Sequence, residues 1–157
     1  MKLALAIVTV AGVAIGLSLP AAKRAPVAAA AVPADAKPAE TVIDRGESGH
    51  FLTVANVNDE PIRFVVDTGA DMVALTQDDA RRAHVAFDPA RFDVIGRGAS
   101  GPVRGETVQI AGIELDGKRA SDVRGVVLAD GDVSLLGQTY LRRLNSVSIN
   151  GDTMRID

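Results

Sequence analysis

Cysteine and tryptophan are absent from this 157-residue chain, tyrosine occurs once, and histidine only twice. Without cysteine there can be no disulfide, no thiolate nucleophile and no cysteine-based zinc site, and the redox compartment is left undecided. With aromatic residues at 3%, a stacking platform for bases or sugars is not expected. A strong charge of either sign is missing too. The formal net charge is −3, so no basic footprint points to nucleic acid as a partner. His50 and His84 stand apart in the sequence, and two isolated imidazoles do not make a zinc site. What the chain does have is apolar content, 47%, on a length that suits one domain with some extra material.

Part of that apolar content lies at the N-terminus. Leu3 to Leu19 carries no charge and follows a single Lys2. As a helix rising ~1.5 Å per residue it would reach roughly 25 Å, near the lower limit for a membrane span. Residues 1–20 therefore read as a signal anchor or a cleavable signal peptide, lying outside the folded domain. The Ala-rich text after Pro20 offers small-residue cleavage sites. Either reading exports the downstream domain, anchored to the membrane in the first case and secreted in the second. Residues 21–44 alternate alanine, spaced prolines and mixed charges, which suits an extended tether. The folded domain is assigned to 45–157, with its start near Thr41 or Arg45.

Within the domain, short β-branched runs alternate with turn residues, the rhythm of an all-β barrel or sandwich. Phe51 to Val57 and Ile62 to Val66 read as strands around Asn58-Asp59-Glu60-Pro61. Thr76 can cap a short helix, with Asp78 and Asp79 in its first turn and Arg81 and Arg82 in its last; His84 falls at its end. Two further strands flank a glycine-rich tip, Gly96 to Gly101. VQIAGIEL and VRGVVLAD continue the pattern. A second short helix follows Gly137, with Leu141 and Leu144 on one face and Arg142 and Arg143 solvated. Asn150-Gly151 is a hairpin signal. The expectation is a mostly β domain with one or two short helices.

One strand ends in a way that invites a chemical reading. FVVDTGADMVAL, Phe64 to Leu75, drives a buried-looking run into Asp67, then into a glycine-containing loop. A turn acid would look the same, since Asp and Gly are common where strands end. Other chemistries find less support. Ser100 sits in GASG, which is not a nucleophile elbow, and His84 has no evident orienting acid. ADGD, Ala129 to Asp132, lacks the length and terminal glutamate of a calcium loop and reads as a plain turn. No phosphate-loop lysine accompanies the glycines at Gly96–Gly101.

VVDTGAD (Val65 to Asp71), the glycine-rich GRGASG and SLLGQTYL (Ser134 to Leu141) occur in the order found in aspartic proteases of the retroviral type. Over roughly Gly49 to Ile156 the chain resembles the retropepsin-like family and its membrane-tethered bacterial relatives. The resemblance implies an acid-protease barrel in which Asp67, Thr68 and Gly69 form the active-site turn beneath a hairpin flap. It implies that Asp67 is catalytic, in an aspartic-type endopeptidase acting on peptide or protein substrates. Thr68, Gly69 and Gly137 would support it: a hydroxyl reaching the partner's loop, room for a backbone N–H beside the carboxylate, and close packing with Leu135 and Leu136 buried. Ala70, Asp71, Ala99, Ser100 and Gly101 would face substrate. Gln138 departs from the basic residue usual there in viral enzymes, which puts their supporting ion pair in doubt. Asp-Thr-Gly occurs once, so the resemblance implies a homodimer supplying a second Asp67. No cofactor or metal is implied. A non-catalytic module of the same fold, binding peptides or dimerising, is the alternative.

Overall fold

The computed structural model describes residues 38–98 and 101–157. The expectations for the leader, for the linker up to residue 37, and for Ala99 and Ser100 therefore lie outside the described residues. No described helix is long and apolar enough to cross a membrane. The described strands are β1 (Thr41–Asp44), β2 (Leu52–Val57), β3 (Glu60–Val66), β4 (Val73–Leu75), β5 (Asp93–Gly98), β6 (Gly101–Leu115), β7 (Lys118–Leu128), β8 (Ser134–Leu136), β9 (Val147–Asn150) and β10 (Thr153–Ile156). Helix α1 (Gln77–Arg82) follows β4 and α2 (Gln138–Leu141) follows β8.

Strand order in the large sheet is β2-β3-β8-β4-β7-β6-β5. A further pairing of Asn56 with Glu114 and Val57 with Ile113 joins β2 to β6, closing six strands into a barrel. Closure removes the edges of the ring, while β5 stays outside it and pairs with β6 alone. The core alternates as a one-sided sheet should. Ile62, Phe64 and Val66 of β3 point inward while Arg63 faces solvent. Burying a side chain such as Phe64 completely stabilises the fold by about 2–3 kcal/mol. Tyr140 of α2 is also fully buried, donating its hydroxyl to Lys118 O at 2.8 Å.

The turns follow from their residues. Asn58 and Asp59 both have positive φ, 50° and 70°, the geometry of a two-residue I′ hairpin. Strand β3 therefore starts at Glu60, two residues earlier than the sequence suggested, and takes in Pro61. Val57 and Glu60 close the hairpin, so Pro61 opposite Asn56 falls in the non-bonded pair, where its missing N–H costs no ladder bond. Asp116 and Gly117, with φ of 49° and 81°, make the corresponding turn between the long strands β6 and β7. At the β9–β10 turn it is Gly151, not Asn150, that takes the positive φ of 59°.

Four expectations need correcting. The tether does not extend to residue 44, because Thr41–Asp44 forms β1, paired with β10 in a three-stranded sheet ordered β1-β10-β9. The buried Thr41 and Ile43 alternate with exposed Val42 and Asp44, which is what anchors this stretch. His84 is not helical. It follows the C-cap Ala83 with φ of 54° and is exposed. Leu135 is only half-buried, because alternation along β8 turns it away from the core that takes Leu136. Arg143 is more than a solvated helix residue: its guanidinium donates to Ser121 O and, at 2.9 Å, to Asp122 O, tying the end of α2 to β7. Asp122 holds a φ of 50° there.

Candidate active site

Parallel pairing of β3 with β8 builds the site. Phe64, Val65 and Val66 lie beside Ser134, Leu135 and Leu136. The residues leaving both strands, Asp67 and Gly137, therefore emerge at the same end of the barrel. Asp67 N–H donates to Leu136 O at 3.2 Å, so the first residue of the loop is still held by the neighbouring strand. The chain then turns sharply. Ala70 N–H donates to Asp67 O at 3.3 Å, and Gly69 N–H donates to the Asp67 side chain at Oδ1, 2.9 Å away. A Cβ added at Gly69 would stand 3.3 Å from that same oxygen, tight enough to push on the carboxylate.

Gly137 fits the loop by having no side chain. A Cβ there would lie 2.6 Å from the carbonyl carbon of Met72 and 2.8 Å from Ala70 O, both backbone atoms with little freedom to yield. The start of α2 holds the loop from beneath. Gln138 N–H donates to Ala70 O at 2.9 Å, and its side-chain Nε2 donates to Thr68 O at 2.8 Å. Thr139 Oγ1 accepts from Val73 N–H at 2.9 Å where the loop enters β4.

The Asp67 side chain is half-buried, and Gly69 N–H is its one hydrogen-bond partner among the described residues. Thr68, Gly69 and Asp71 are exposed around it and Ala70 is half-buried. A carboxylate with spare acceptor capacity, presented on a rigid loop at a barrel end, suits general-base chemistry. Strands β5 and β6 pair into an arm. Gly98 pairs with Gly101, which has φ of 120°, and a bulge lies between Val94 and Gly96. The two-strand hairpin expected around the glycine-rich tip is thus present. Among the described residues no hydrogen bond joins it to residues 67–72.

Residues 53–143 match the family described as "gag-polyprotein putative aspartyl protease". The chain belongs to the retropepsin-like aspartic protease family. The structure is also similar to a retropepsin-like aspartic protease from Rickettsia conorii, at 32% identity and a TM-score of 0.62, covering 75% of this chain and 90% of that one. Two curated relatives are uncharacterized proteins. One, in the cobV 5′ region of Sinorhizobium sp., is 33% identical over 121 residues, 74% of this chain and 51% of that protein. The other, RP867 of Rickettsia prowazekii, is 31% identical over 116 residues, 73% of this chain and 50% of that protein. The chain thus spans about half the length of the curated relatives it matches.

Seen as a retropepsin-like fold, the structure brings Asp67, Thr68, Gly69 and Ala70 into one bonded loop, with Gly137 packed closely against it. Asp71 stands at the loop's exposed end, and Gly101 lies at the far end of the arm. Sequence reasoning missed Thr139 and the bonding of Gln138. For Gln138 the available signal was its place directly after the glycine, where a polar side chain starting a short helix can reach back to the preceding loop. Thr139 carried no such signal, because its contact lies 66 positions away along the chain.

Proposed function

We propose that this retropepsin-like protein is an aspartic endopeptidase that works as a symmetric homodimer, each copy contributing Asp67. The observation that carries the reading is the single Asp-Thr-Gly loop, whose carboxylate is braced on one oxygen among the described residues and is partly open to the surface of its own protomer. A two-fold axis passing beside this loop would set two copies of Asp67 against each other. Two carboxylates within hydrogen-bonding reach cannot both ionise cheaply, so the pair retains one proton and titrates as a unit.

The charged member takes a proton from a water held between them as that oxygen bonds to the substrate's carbonyl carbon. The protonated member gives its hydrogen to the carbonyl oxygen, producing a neutral diol. Collapse re-forms the carbonyl and breaks the C–N bond, with a proton passing to the departing nitrogen. The exposed Thr68 hydroxyl would bond across the axis. Ala70 and Asp71 would line the substrate path, with Ala99, Ser100 and Gly101 closing over it from the arm. The apolar leader would hold this domain on the outer side of a membrane, or be cleaved to release it. Anchoring raises local concentration, so a weak dimer could still work in place.

Purified full-length protein should cleave unfolded peptides, with specific activity rising with protein concentration. Asp67→Asn should abolish cleavage. Equal cleavage by the variant, or full activity from a demonstrated monomer, would overturn the assignment. A pure dimer that binds peptides and never cuts them, with affinity unchanged in Asp67→Asn, would favour a non-catalytic module instead.

A further inference from the structure

We infer that Gln138 is a positioning residue for Asp67, acting through the Thr68–Gly69 peptide plane and itself oriented by Arg142. This rests on the reading of Asp67 as catalytic. The carbonyl of Thr68 and the N–H of Gly69 belong to one planar, trans peptide unit, so they point in opposite directions. Gln138 Nε2 holds the carbonyl end at 2.8 Å, and Asp67 Oδ1 accepts from the N–H end at 2.9 Å. Rotating this plane would break both bonds together. Donation into the carbonyl also polarises the amide, which makes its N–H a better donor to the carboxylate.

The amide of Gln138 can face the loop in only one way. Arg142, one helical turn on, donates from Nε to Gln138 Oε1 at 3.2 Å. A guanidinium is donor-only and a peptide carbonyl acceptor-only, so Oε1 must turn to Arg142 and the NH₂ to Thr68. The backbone N–H of Gln138 donates separately to Ala70 O at 2.9 Å. That bond survives any side-chain change at this position, so the effect of the side chain can be measured with the loop still attached to α2.

The test uses the full chain, labelled with nitrogen-15, and follows the Gly69 amide alongside steady-state peptide cleavage. Gln138→Met keeps the length and removes both polar ends. It should move the Gly69 amide proton upfield and speed its hydrogen exchange roughly three- to tenfold, the scale of one weakened hydrogen bond. It should lower kcat roughly tenfold or more while KM stays within about twofold, because the substrate contacts are untouched. Gln138→Glu keeps the Arg142 partner but has no donor for Thr68, and should shift Gly69 in the same direction. Arg142→Met should do so to a smaller extent, and Arg142→Lys, which restores a donor, should reverse it. These last three variants decide the matter should Gln138→Met fail to fold. An unmoved Gly69 amide, an unchanged kcat, or a loss confined to KM would overturn the inference. If the wild-type chain cleaves nothing, the catalytic reading of Asp67 fails on its own, and the Gly69 measurements still decide whether the relay exists.

Discussion

The loop at Asp67 and the arm formed by β5 and β6 both contain glycines and both belong to the proposed site, yet they are held very differently. From Asp67 to Val73 the loop bonds to Leu136 at the end of β8 and to Gln138 and Thr139 at the start of α2. The end of the arm, Gly96–Gly98 against Gly101–Val103, pairs only with itself among the described residues. Ties appear near its base, where Arg104 donates to Phe92 O at 3.0 Å, Ala129 N–H donates to Arg104 O at 2.9 Å, and Arg91 meets Glu106 at 2.9 Å. Val94 is 58% exposed. The difference fits the two proposed tasks. A general base must be kept within a fraction of an ångström of its working position, while a cover has to let substrate in and out.

Adding one methyl group to each region tests this contrast most severely. Gly137→Ala drives a Cβ into the backbone of Met72 and Ala70, which can yield only by displacing the loop. We expect a loss of about 3 kcal/mol in denaturant unfolding, the upper range for overpacking, together with loss of peptide cleavage. Among the described residues, Gly98→Ala meets a Val103 methyl at 3.2 Å and Gly101 O at an ordinary 4.0 Å. A rotamer change accommodates it, so stability should fall by less than about 1 kcal/mol. Comparable losses at both positions would mean that the arm is as tightly constrained as the loop.

How much of this was legible in the sequence also divides along the two regions. Asp67-Thr68-Gly69 and Leu135-Leu136-Gly137 could be recognised because each is a short local pattern, a strand running into a glycine. Even the order of the two was informative. The bonds that lock the loop were not readable, since Thr139 meets Val73 across 66 positions and only the parallel pairing of β3 with β8 brings them together. The arm could be read as a hairpin from its glycines. The bulge between Val94 and Gly96 shifts the register of β5 against β6, a displacement that is set by the pairing of the two strands. Thr41–Asp44 reads as part of the tether because its four residues show too little hydrophobic alternation to stand out. They become a strand only when Met154 and Ile156, more than a hundred positions on, offer an edge.

Thr139→Val probes the loop without crowding it. The substitution keeps shape and removes the acceptor for Val73 N–H, leaving a donor at a fully buried residue without its partner. A cost of about 1–2 kcal/mol is expected, with cleavage reduced because β4 begins where the loop ends. Tyr140→Phe, on the same helix but facing the core, should cost about 1 kcal/mol at neutral pH by removing the hydroxyl's bond to Lys118 O. It should also change the alkaline limb of stability. Burial, assisted by the nearby charges of Glu114 and Asp116, raises the ionisation of the Tyr140 phenol above its ordinary value. The folded state therefore holds this proton more tightly than the unfolded state. Its contribution is fully present below about pH 10 and is lost as pH rises beyond that. In wild type, midpoint denaturant concentration should fall above pH 10, and the variant should show a shallower fall over the same interval.

The smallest effect should come from the base of the arm. The Arg91 side chain is 72% exposed, although its partner Glu106 is largely buried. Glu106 Oε2 also accepts from Asp88 N–H at 2.6 Å, so Arg91→Ala leaves the carboxylate with a hydrogen-bond donor. An exposed guanidinium gains little from a pairing that solvent and salt screen, and a loss of roughly 0.5 kcal/mol is expected, shrinking further at high ionic strength. Hydrogen exchange would show where that small loss falls. If the arm is tethered mainly at its base, amides of Val94 and Val103 should exchange faster in Arg91→Ala while that of Ala70 stays unchanged. Equal acceleration at Ala70 would mean that opening of the arm and opening of the loop are one event, and the division between rigid base and loose cover would have to be abandoned.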